Sequence, residues 1–313
     1  MNILVFGKDG QLGRAFRNQL AQSQFQKGNV FQYVGRNECD LSDSNQITAL
    51  LQAFNPQLII NTAAYTAVDK AESESEIAFA INKAAPELMA QYAAQHDVTF
   101  LHFSTDYVFD GTKLGIYTEL DYTNPLSVYG KSKEAGELAI TDAFATNTNG
   151  QYAILRTSWL YGDGNNFIKT ILRLAKERSE LHVIDDQYGV PTSANWLAEL
   201  GCNLTVDDGN LRKLNSGIYH AVPAGYTSWH SLASLVVQLA IDSGTPLQAN
   251  LAAIKAISSS VYPTLALRPM NSRLSTNKLQ IELERLGLVS KLPHWNTPWD
   301  EQVSGYIRQL IAD

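Results

Sequence analysis

The sequence predicts an α/β protein built on a doubly wound parallel sheet, with a smaller lobe of mixed α/β structure. Short apolar runs alternate with helical patterns through the first half of the 313 residues, which is typical of a parallel sheet wrapped by helices. Runs such as QLIIN and VTFLHF are continuously apolar, as expected of strands buried on both faces. After Arg156 this rhythm loosens and prolines interrupt it, which indicates the second lobe.

The individual elements follow from these patterns and from the cap residues between them, such as DLSDSN and TNPLS before two of the helices. The predicted strands are Ile3–Phe6, Val30–Val34, Leu58–Asn61, Val98–Phe103, Tyr152–Arg156, His182–Ile184 and Ile218–Ala221. The predicted helices are Leu12–Ala21, Asn45–Phe54, Glu76–Gln95, Tyr129–Ala143, Phe167–Arg178, Ala194–Leu204, Ser231–Ser243 and Asn277–Leu286. We expect residues 1–156 to form the first domain, with about 192–224 returning to it. Residues of about 157–191 and 225–313 then form the smaller lobe.

Composition narrows the class of protein. A formal charge of −7 argues against a nucleic-acid partner. Cys39 and Cys202 lie far apart and in no metal-binding spacing, which favours a reducing compartment. No apolar run reaches the roughly 18 residues that span a membrane, and the apolar start MNILVFG is too short for a signal peptide. The expectation is a cytoplasmic protein without a membrane partner, as a monomer or homodimer.

A glycine motif follows the first strand and opens the first helix. In NILVFGKDGQLGRAF, Gly7 allows a tight turn, Gly10 lets the backbone approach a pyrophosphate, and Gly13 lets the helix pack close to the strand. The free N–H groups of the helix N-terminus favour a bound phosphate. The motif therefore predicts a Rossmann-like dinucleotide site rather than a plain strand-to-helix turn.

The ends of the next two strands supply candidates for the rest of that site. Arg36 follows the second strand and suits the 2′-phosphate of NADPH, so NADPH is favoured, with NADH possible. Asp40 and Leu41 are candidates to cover the adenine, and Ala63 and Ala64 leave room for the cofactor backbone. Two alternatives stay open: Arg36 as a solvated loop residue, and the alanines as ordinary core residues.

A tyrosine and a lysine lie four residues apart in YGKSK and share one face of the fourth helix. Reduction of a ketone needs a proton donor, and the ammonium of Lys133 is expected to lower the pKa of the Tyr129 phenol towards the working range. The preceding strand delivers Ser104 and Thr105 to the same edge, and alternation allows only one of these hydroxyls to face the site. His102, on the apolar strand, is expected to be a core residue with satisfied hydrogen bonds.

Together GKDGQLG, NTAAYTAVDKAE, STDYVFDG, PLSVYGKSKEAGE, LRTSWLYG and LRPMNSRL resemble the dTDP-4-dehydrorhamnose reductase family, within the extended short-chain dehydrogenase/reductases. The resemblance runs over essentially the whole chain. It implies reduction of the C4 ketone of dTDP-4-dehydro-L-rhamnose by a reduced nicotinamide. It makes Thr105 the catalytic hydroxyl, Tyr129 the proton donor and Lys133 the residue that tunes it and holds the nicotinamide ribose. It also implies further contacts of two kinds. The expected cofactor contacts include Gln11, Leu12 and Tyr65, and the expected sugar-nucleotide contacts are Val68, Asp69, Asp106 and Trp159.

The smaller lobe should bind the nucleotide-sugar diphosphate. Arg268 and Arg273 are the candidates, since arginine forks suit phosphate, although a salt-bridging role is the alternative for each. Asn166 follows SWLYG and is a further candidate, while Trp159 is equally compatible with a place in the core. Some members of the family are described as needing Mg²⁺, but the carboxylates form no convincing cluster, so the need stays uncertain and no metal ligand is assigned.

Two other functions remain open. A nucleotide-sugar epimerase or dehydratase has the same architecture, but the dehydratase needs an Asp-Glu pair where this chain has Asp106-Tyr107. A non-catalytic subunit resembling the regulatory beta subunit of methionine adenosyltransferase is the second alternative. The presence of Thr105, Tyr129 and Lys133 favours an enzyme.

Overall fold

The computed structural model describes residues 1–146 and 149–312. Residues 147, 148 and 313, which fall in the predicted first domain and smaller lobe, lie outside the described residues. The strands are β1 (Asn2–Phe6), β2 (Val30–Val34), β3 (Leu58–Asn61), β4 (Thr99–Thr105), β5 (Gln151–Thr157), β6 (Leu160–Tyr161), β7 (Leu181–Ile184), β8 (Tyr188–Gly189), β9 (Thr192–Ser193), β10 (Val206–Asp207), β11 (Asn210–Leu211), β12 (Gly217–His220), β13 (Thr227–Ser228) and β14 (Ile254–Ile257).

The α-helices are α1 (Gln11–Leu20), α2 (Ser23–Gln26), α3 (Ser44–Phe54), α4 (Val68–Ala71), α5 (Ser75–Phe79), α6 (Ala85–Gln95), α7 (Val128–Thr146), α8 (Phe167–Glu177), α9 (Ala194–Thr205), α10 (Trp229–Asp242), α11 (Asn277–Arg285) and α12 (Trp299–Ala312). Short 3₁₀ turns cover Asp106–Val108, Leu251–Ala253 and Ser259–Val261. Helix α12 has no counterpart among the predicted elements. None of the helices in the described part of the chain is long and apolar enough to cross a membrane.

Six strands form one parallel sheet in the order β2-β1-β3-β4-β5-β12. All the residues of β3 and β4 are buried, as expected of strands in the middle of a parallel sheet covered on both faces. Helices α1 and α9 pack on one face through residues such as Phe16 and Leu197, and α3, α6 and α7 cover the other through Ile47, Met89 and Ile140. This arrangement confirms the predicted doubly wound fold class.

A second core lies outside this sheet. Helices α8, α10 and α12 surround the two-stranded parallel sheet of β7 and β14, with Ile171, Val236 and Ile307 buried between them. Strand β12 pairs with β5, and α9 packs against α1, so both of these late elements contact the first half of the chain. The domain boundaries inferred from the sequence stay a proposal.

The predicted helix Glu76–Gln95 is not continuous, which corrects the sequence prediction. A π-helical turn, Ala80–Ala84, separates α5 from α6. Within it, the amide of Asn82 accepts from the backbone N–H of Tyr65 at 2.8 Å and donates to Ser132 Oγ at 2.9 Å. A Cβ at Gly136 would lie 2.1 Å from the Asn82 carbonyl oxygen, so α7 packs closely on this turn. Long-range contacts of this kind maintain the widened turn, and π-turns are frequent at functional sites.

Candidate active site

A cavity of about 590 Å³ opens at the carboxyl ends of the sheet strands. Strand β1 lies between β2 and β3, so the chain connects to opposite sides of β1, and ligands of doubly wound proteins bind at such a switch point. Most of the predicted site residues line this cavity. They are Gly7, Gly10, Gln11, Leu12, Arg36, Asp40, Leu41, Ala63, Ala64, Val68, Thr105, Asp106, Tyr129, Lys133 and Trp159.

Two positions of the glycine loop, Gly7 and Gly13, have no room for a side chain. Gly7 has φ +85°, and a Cβ there would lie 2.7 Å from the backbone nitrogen of Ala63. A Cβ at Gly13 would lie 2.0 Å from the Gly7 carbonyl oxygen, although Gly13 itself does not line the cavity. Gly10 is the N-cap of α1 and has no side chain, so no side-chain cap binds the first-turn N–H groups of this helix. These features fit a dinucleotide pyrophosphate.

Two charged residues follow β2: Glu38 is hydrogen-bonded within its own loop, whereas Arg36 is exposed at the cavity. The Glu38 carboxylate accepts from Lys8 Nζ at 2.5 Å and from the Gly35 N–H at 2.8 Å. Arg36 is exposed and lines the cavity. Asp40 accepts from the N–H and hydroxyl of Ser42, and these bonds lower the pKa of its carboxyl group. Glu38 is therefore held by its own loop, while Arg36 is one of the residues that border the cavity.

The proton-transfer candidates meet at the end of β4. Thr105 is buried, donates to Asp106 Oδ1 at 2.9 Å, and lies close enough to the Tyr129 phenol for its hydroxyl to lower the pKa of that phenol. Ser104 also borders the cavity, but its hydroxyl has no hydrogen-bond partner. The packing therefore links Thr105, rather than Ser104, to the phenol of Tyr129.

Lys133 does not lower the pKa of Tyr129, and that expectation was wrong. Burial raises the pKa of the Tyr129 phenol to about 12, and the neighbouring Thr105 hydroxyl opposes this only in part. The Lys133 amine instead donates to the Phe103 carbonyl oxygen at 2.7 Å and lies 3.1 Å from His102 Nε2. The phenol therefore keeps its proton at neutral pH, as a proton donor requires.

Asp106 is buried beside Thr105, and burial raises the pKa of its carboxyl group to about 6. The ionised form is thus penalised in the folded protein. The resulting loss of folding stability is absent below about pH 4, the usual pKa of Asp, and reaches its full value above about pH 6. We expect Asp106→Asn to become more stable than the parent protein as pH rises between these limits, by up to about 3 kcal/mol.

Denaturant unfolding at pH 4, 6 and 7.5 measures this difference. Asp110→Asn is the matched control, because hydrogen bonds led by the Thr112 N–H lower the pKa of Asp110 to about 2. Its carboxylate contributes stability that is present above the usual Asp pKa, so this variant should lose stability at neutral pH. A stability difference for Asp106→Asn that does not change with pH would contradict the burial argument.

Two predicted substrate residues bind each other. Arg268 Nη2 lies 2.8 Å from Asp69 Oδ2, and Arg268 Nη1 lies 3.2 Å from Asp69 Oδ1. The Ala266 N–H also donates to Asp69. The salt-bridging alternative considered for Arg268 is therefore what the structure contains, and neither side chain lines the cavity.

Three further candidates do not line the cavity, and their side chains are hydrogen-bonded to neighbouring groups. Arg273 donates to the Leu114 carbonyl oxygen at 2.6 Å and to Asn271 at 2.8 Å. Asn166 caps α8 by accepting from the Lys169 N–H. The Tyr65 hydroxyl donates to Glu74. In each case local hydrogen bonds occupy the side chain that had been assigned to a ligand.

The sequence prediction missed Trp229 and Tyr107, which both line the cavity and contact predicted site residues. Trp229, the first residue of α10, stacks on Trp159 with ring centroids 3.5 Å apart, and Trp159 has φ +44°. Tyr107 packs edge-on against Tyr129 at 5.5 Å. Tyr107 stood beside a predicted residue in the sequence, whereas no local pattern pointed to Trp229.

No three His, Cys, Asp or Glu side chains of residues 1–146 and 149–312 come together as ligands for a metal ion.

Comparison with known proteins identifies similar sequences over nearly the full chain. The family model described as RmlD substrate binding domain matches residues 1–306. The dTDP-4-dehydrorhamnose reductase of Escherichia coli (strain K12) is 43% identical over 300 residues, with 94% of each chain covered. The enzyme of the same name from Burkholderia thailandensis is 39% identical over 301 residues, covering 94% of this chain and 95% of the other.

Solved structures are similar in the same way. A dTDP-4-dehydrorhamnose reductase from Clostridium acetobutylicum has a TM-score of 0.84 at 33% identity, covering 99% of each chain. One from Bacillus anthracis, in complex with NADP, has a TM-score of 0.82 at 29% identity, covering 98% of each chain. A Thermus thermophilus UDP-glucose 4-epimerase in complex with NAD has a TM-score of 0.72 at 16% identity over 90% of this chain and 92% of its own, which indicates a common fold only.

Proposed function

Since this chain belongs to the dTDP-4-dehydrorhamnose reductase family, we propose that it reduces the C4 ketone of dTDP-4-dehydro-L-rhamnose to dTDP-L-rhamnose, the last step of dTDP-rhamnose synthesis. A reduced nicotinamide cofactor supplies the hydride when bound. The observation that carries the proposal is the convergence of Thr105, Tyr129 and Lys133 on one cavity with the glycine loop. Ketone reduction needs a cofactor cradle and a proton donor in one place, and the proposal assigns both to this cavity.

In the proposed reaction Tyr129 protonates the oxygen that becomes the C4 hydroxyl. Its pKa of about 12 keeps the phenol protonated before the reaction. Thr105 orients that phenol, and its position beside Tyr129 suits it to hold the ketone oxygen as negative charge develops. Lys133 is assigned to the nicotinamide ribose, a role that suits a buried side chain whose Nζ is held by donation to the Phe103 carbonyl oxygen.

The sugar is proposed to lie between Tyr129 and the stacked Trp159 and Trp229, which border the same cavity. Arg268 is proposed to contact the nucleotide diphosphate after its ion pair with Asp69 opens, and Asp69 is proposed to contact an uncharged part of the sugar nucleotide. Arg273 and Asn166 are weaker candidates, since both side chains already make several hydrogen bonds. The dehydratase alternative is disfavoured because Tyr107 stands where a dehydratase needs a glutamate, and the epimerase alternative is disfavoured by the family to which the chain belongs.

The decisive experiment is loss of NADPH absorbance on mixing the protein with dTDP-4-dehydro-L-rhamnose, with dTDP-L-rhamnose identified as the product. Protein purified with stoichiometric NAD and no turnover of this ketone would point to an epimerase. Protein that binds cofactor but reduces no 4-keto sugar nucleotide would point to a regulatory subunit.

We propose NADPH as the preferred cofactor, with NADH accepted. Glu38 is already bonded to Lys8 and to the Gly35 N–H, so it is poorly placed to accept from a ribose 2′-hydroxyl. Arg36 borders the cavity and suits a 2′-phosphate. We expect Arg36→Gln to raise the Kd for NADPH about tenfold or more, the usual loss for one charge-assisted hydrogen bond, and to leave the Kd for NADH nearly unchanged.

Fluorescence titration with both cofactors measures the two constants. Arg173→Gln, which removes an exposed guanidinium on α8 that pairs with Glu177, is the matched control and should change neither. Equal losses for NADPH and NADH in Arg36→Gln would contradict the assignment of Arg36 to the 2′-phosphate.

A further inference from the structure

His102 is a buried histidine at the centre of β4 whose two ring nitrogens both have partners. It is 1% exposed. Its Nδ1 lies 3.1 Å from Asn61 Nδ2, and its Nε2 lies 3.1 Å from Lys133 Nζ. An ordinary core histidine would bond to backbone or to inert side chains. Here one partner is the amine that the proposed function assigns to the cofactor ribose.

The direction of these hydrogen bonds can be worked out from the backbone. The Ala63 N–H donates to Asn61 Oδ1 at 3.1 Å, so the oxygen of that amide faces Ala63 and its NH₂ group faces His102. An NH₂ group only donates, and Nδ1 must therefore accept. Burial, with the neighbouring Lys133, lowers the pKa of His102 well below its usual value, so the ring is neutral. A neutral imidazole has one N–H, which is then on Nε2.

That Nε2–H points at Lys133. An ammonium group has three N–H donors and no acceptor, whereas a neutral amine has a lone pair that can accept. The His102 N–H therefore disfavours the ammonium form of Lys133 and favours the amine. Burial acts in the same direction and lowers the pKa of Lys133 to about 8.

The other charged and titratable groups around this pair act differently. Glu137, one turn along α7, raises the pKa of Lys133, but Arg156 on β5 binds the same carboxylate at 2.6 Å in a buried ion pair. Asp106 follows β4 directly and Tyr129 is in the first turn of α7, and there the Asp106 carboxylate raises the pKa of the phenol. The contact from β3 is Asn61, which has no charge.

We propose that His102 is a positioning residue of the reductase: Asn61 holds it in the Nε2–H tautomer, and this N–H controls whether Lys133 carries its proton. The inference rests on the proposed function for the role of Lys133. It also connects two parts of the site, because Ala63 borders the cofactor cavity and starts the hydrogen-bond chain that ends at Lys133.

The first test is the tautomer itself, in the unmodified protein. With ¹⁵N-labelled histidine, nuclear magnetic resonance should show His102 with a protonated Nε2 and an unprotonated Nδ1, unchanged from pH 6 to 9. The signal is assigned by its loss in His102→Leu or His102→Gln. A protonated Nδ1, or a ring that gains a second proton in this range, would overturn the proposal. This measurement needs no activity, so it separates the inference from the proposed function.

The second test is the pH dependence of kcat/KM. If the ammonium form of Lys133 is the active one, activity falls as pH rises through the pKa of Lys133. His102→Leu removes the Nε2–H that opposes protonation of Lys133. The fall in kcat/KM at high pH, the alkaline limb of the profile, should therefore move to higher pH by about one unit. His102→Gln can turn its carbonyl oxygen towards Lys133 and should move the limb in the same direction.

His220→Leu is the matched control. His220 is equally buried, lies at the end of β12 in the same sheet and packs edge-on against Phe109 rather than near Lys133. A purely structural loss would lower activity in either variant without moving the limb. An alkaline limb that is unchanged in both His102 variants would overturn the proposal.

Discussion

Replacing Tyr129 with phenylalanine is expected to lower kcat for ketone reduction by about 10²- to 10⁴-fold, the usual contribution of a general acid. The phenol is the group beside Thr105 that holds a proton at neutral pH, because burial keeps its pKa near 12. The loss should appear in kcat, while the Kd for NADPH changes little, since the ring and its contact with Tyr107 remain. Stopped-flow measurement of NADPH oxidation and a cofactor titration separate the two quantities.

Tyr152→Phe provides the comparison. Tyr152 is a half-buried tyrosine of β5 that packs against Phe144, away from the cavity, so its loss of a hydroxyl should leave kcat unchanged. A Tyr129→Phe protein that retains most of its kcat would show that the proton comes from another group.

Gly13→Ala is expected to reduce the free energy of unfolding by about 1–3 kcal/mol and to abolish tight cofactor binding. The new Cβ would lie 2.0 Å from the Gly7 carbonyl oxygen and 2.7 Å from the Gly7 carbonyl carbon, and both are backbone atoms. Gly7 cannot move away easily, because it has a positive φ and already lies close to Ala63. Denaturant unfolding and NADPH titration measure the two effects.

Two other glycines separate crowding from cofactor approach. A Cβ at Gly10 would meet only the Gly7 carbonyl oxygen, at 3.4 Å, so Gly10→Ala should weaken cofactor binding while the fold keeps most of its stability. At Gly305, within α12, a Cβ would meet nothing within 4 Å, and Gly305→Ala should stabilise the protein by about 0.5–1 kcal/mol. Equal stability losses for Gly13→Ala and Gly10→Ala would contradict the close-packing argument.

The features that could be predicted from the sequence are those determined by residues close to one another along the chain. The glycine loop, the buried strands and the Tyr129–Lys133 spacing are each contained in a short segment, and their patterns follow from backbone geometry. The fold class follows from the order of such segments, so it was predicted correctly.

The features that were not predictable depend on contacts between distant segments. Trp229 reaches the cavity because α10 packs against α8. Arg268 forms an ion pair because Asp69, which is 199 residues earlier in the chain, comes within 2.8 Å of it. The raised pKa of Tyr129 likewise depends on burial, which the spacing of two residues does not specify. Asn166 resembled a ligand-binding amide in sequence, but its position made it a helix cap.

The π-turn between α5 and α6 determines the directions in which the side chains of α6 point. Each residue of a helix advances the side-chain direction by about 100°, so an extra residue in one turn rotates the later residues by that angle. Ile81 reaches the cavity, while Met89 and Ala93 still meet the sheet. Deleting one residue of this turn would restore a regular α-helix. Residues of α6 would then rotate by about 100° relative to Ile81, so the helix could no longer line the cavity and pack on the sheet at the same time.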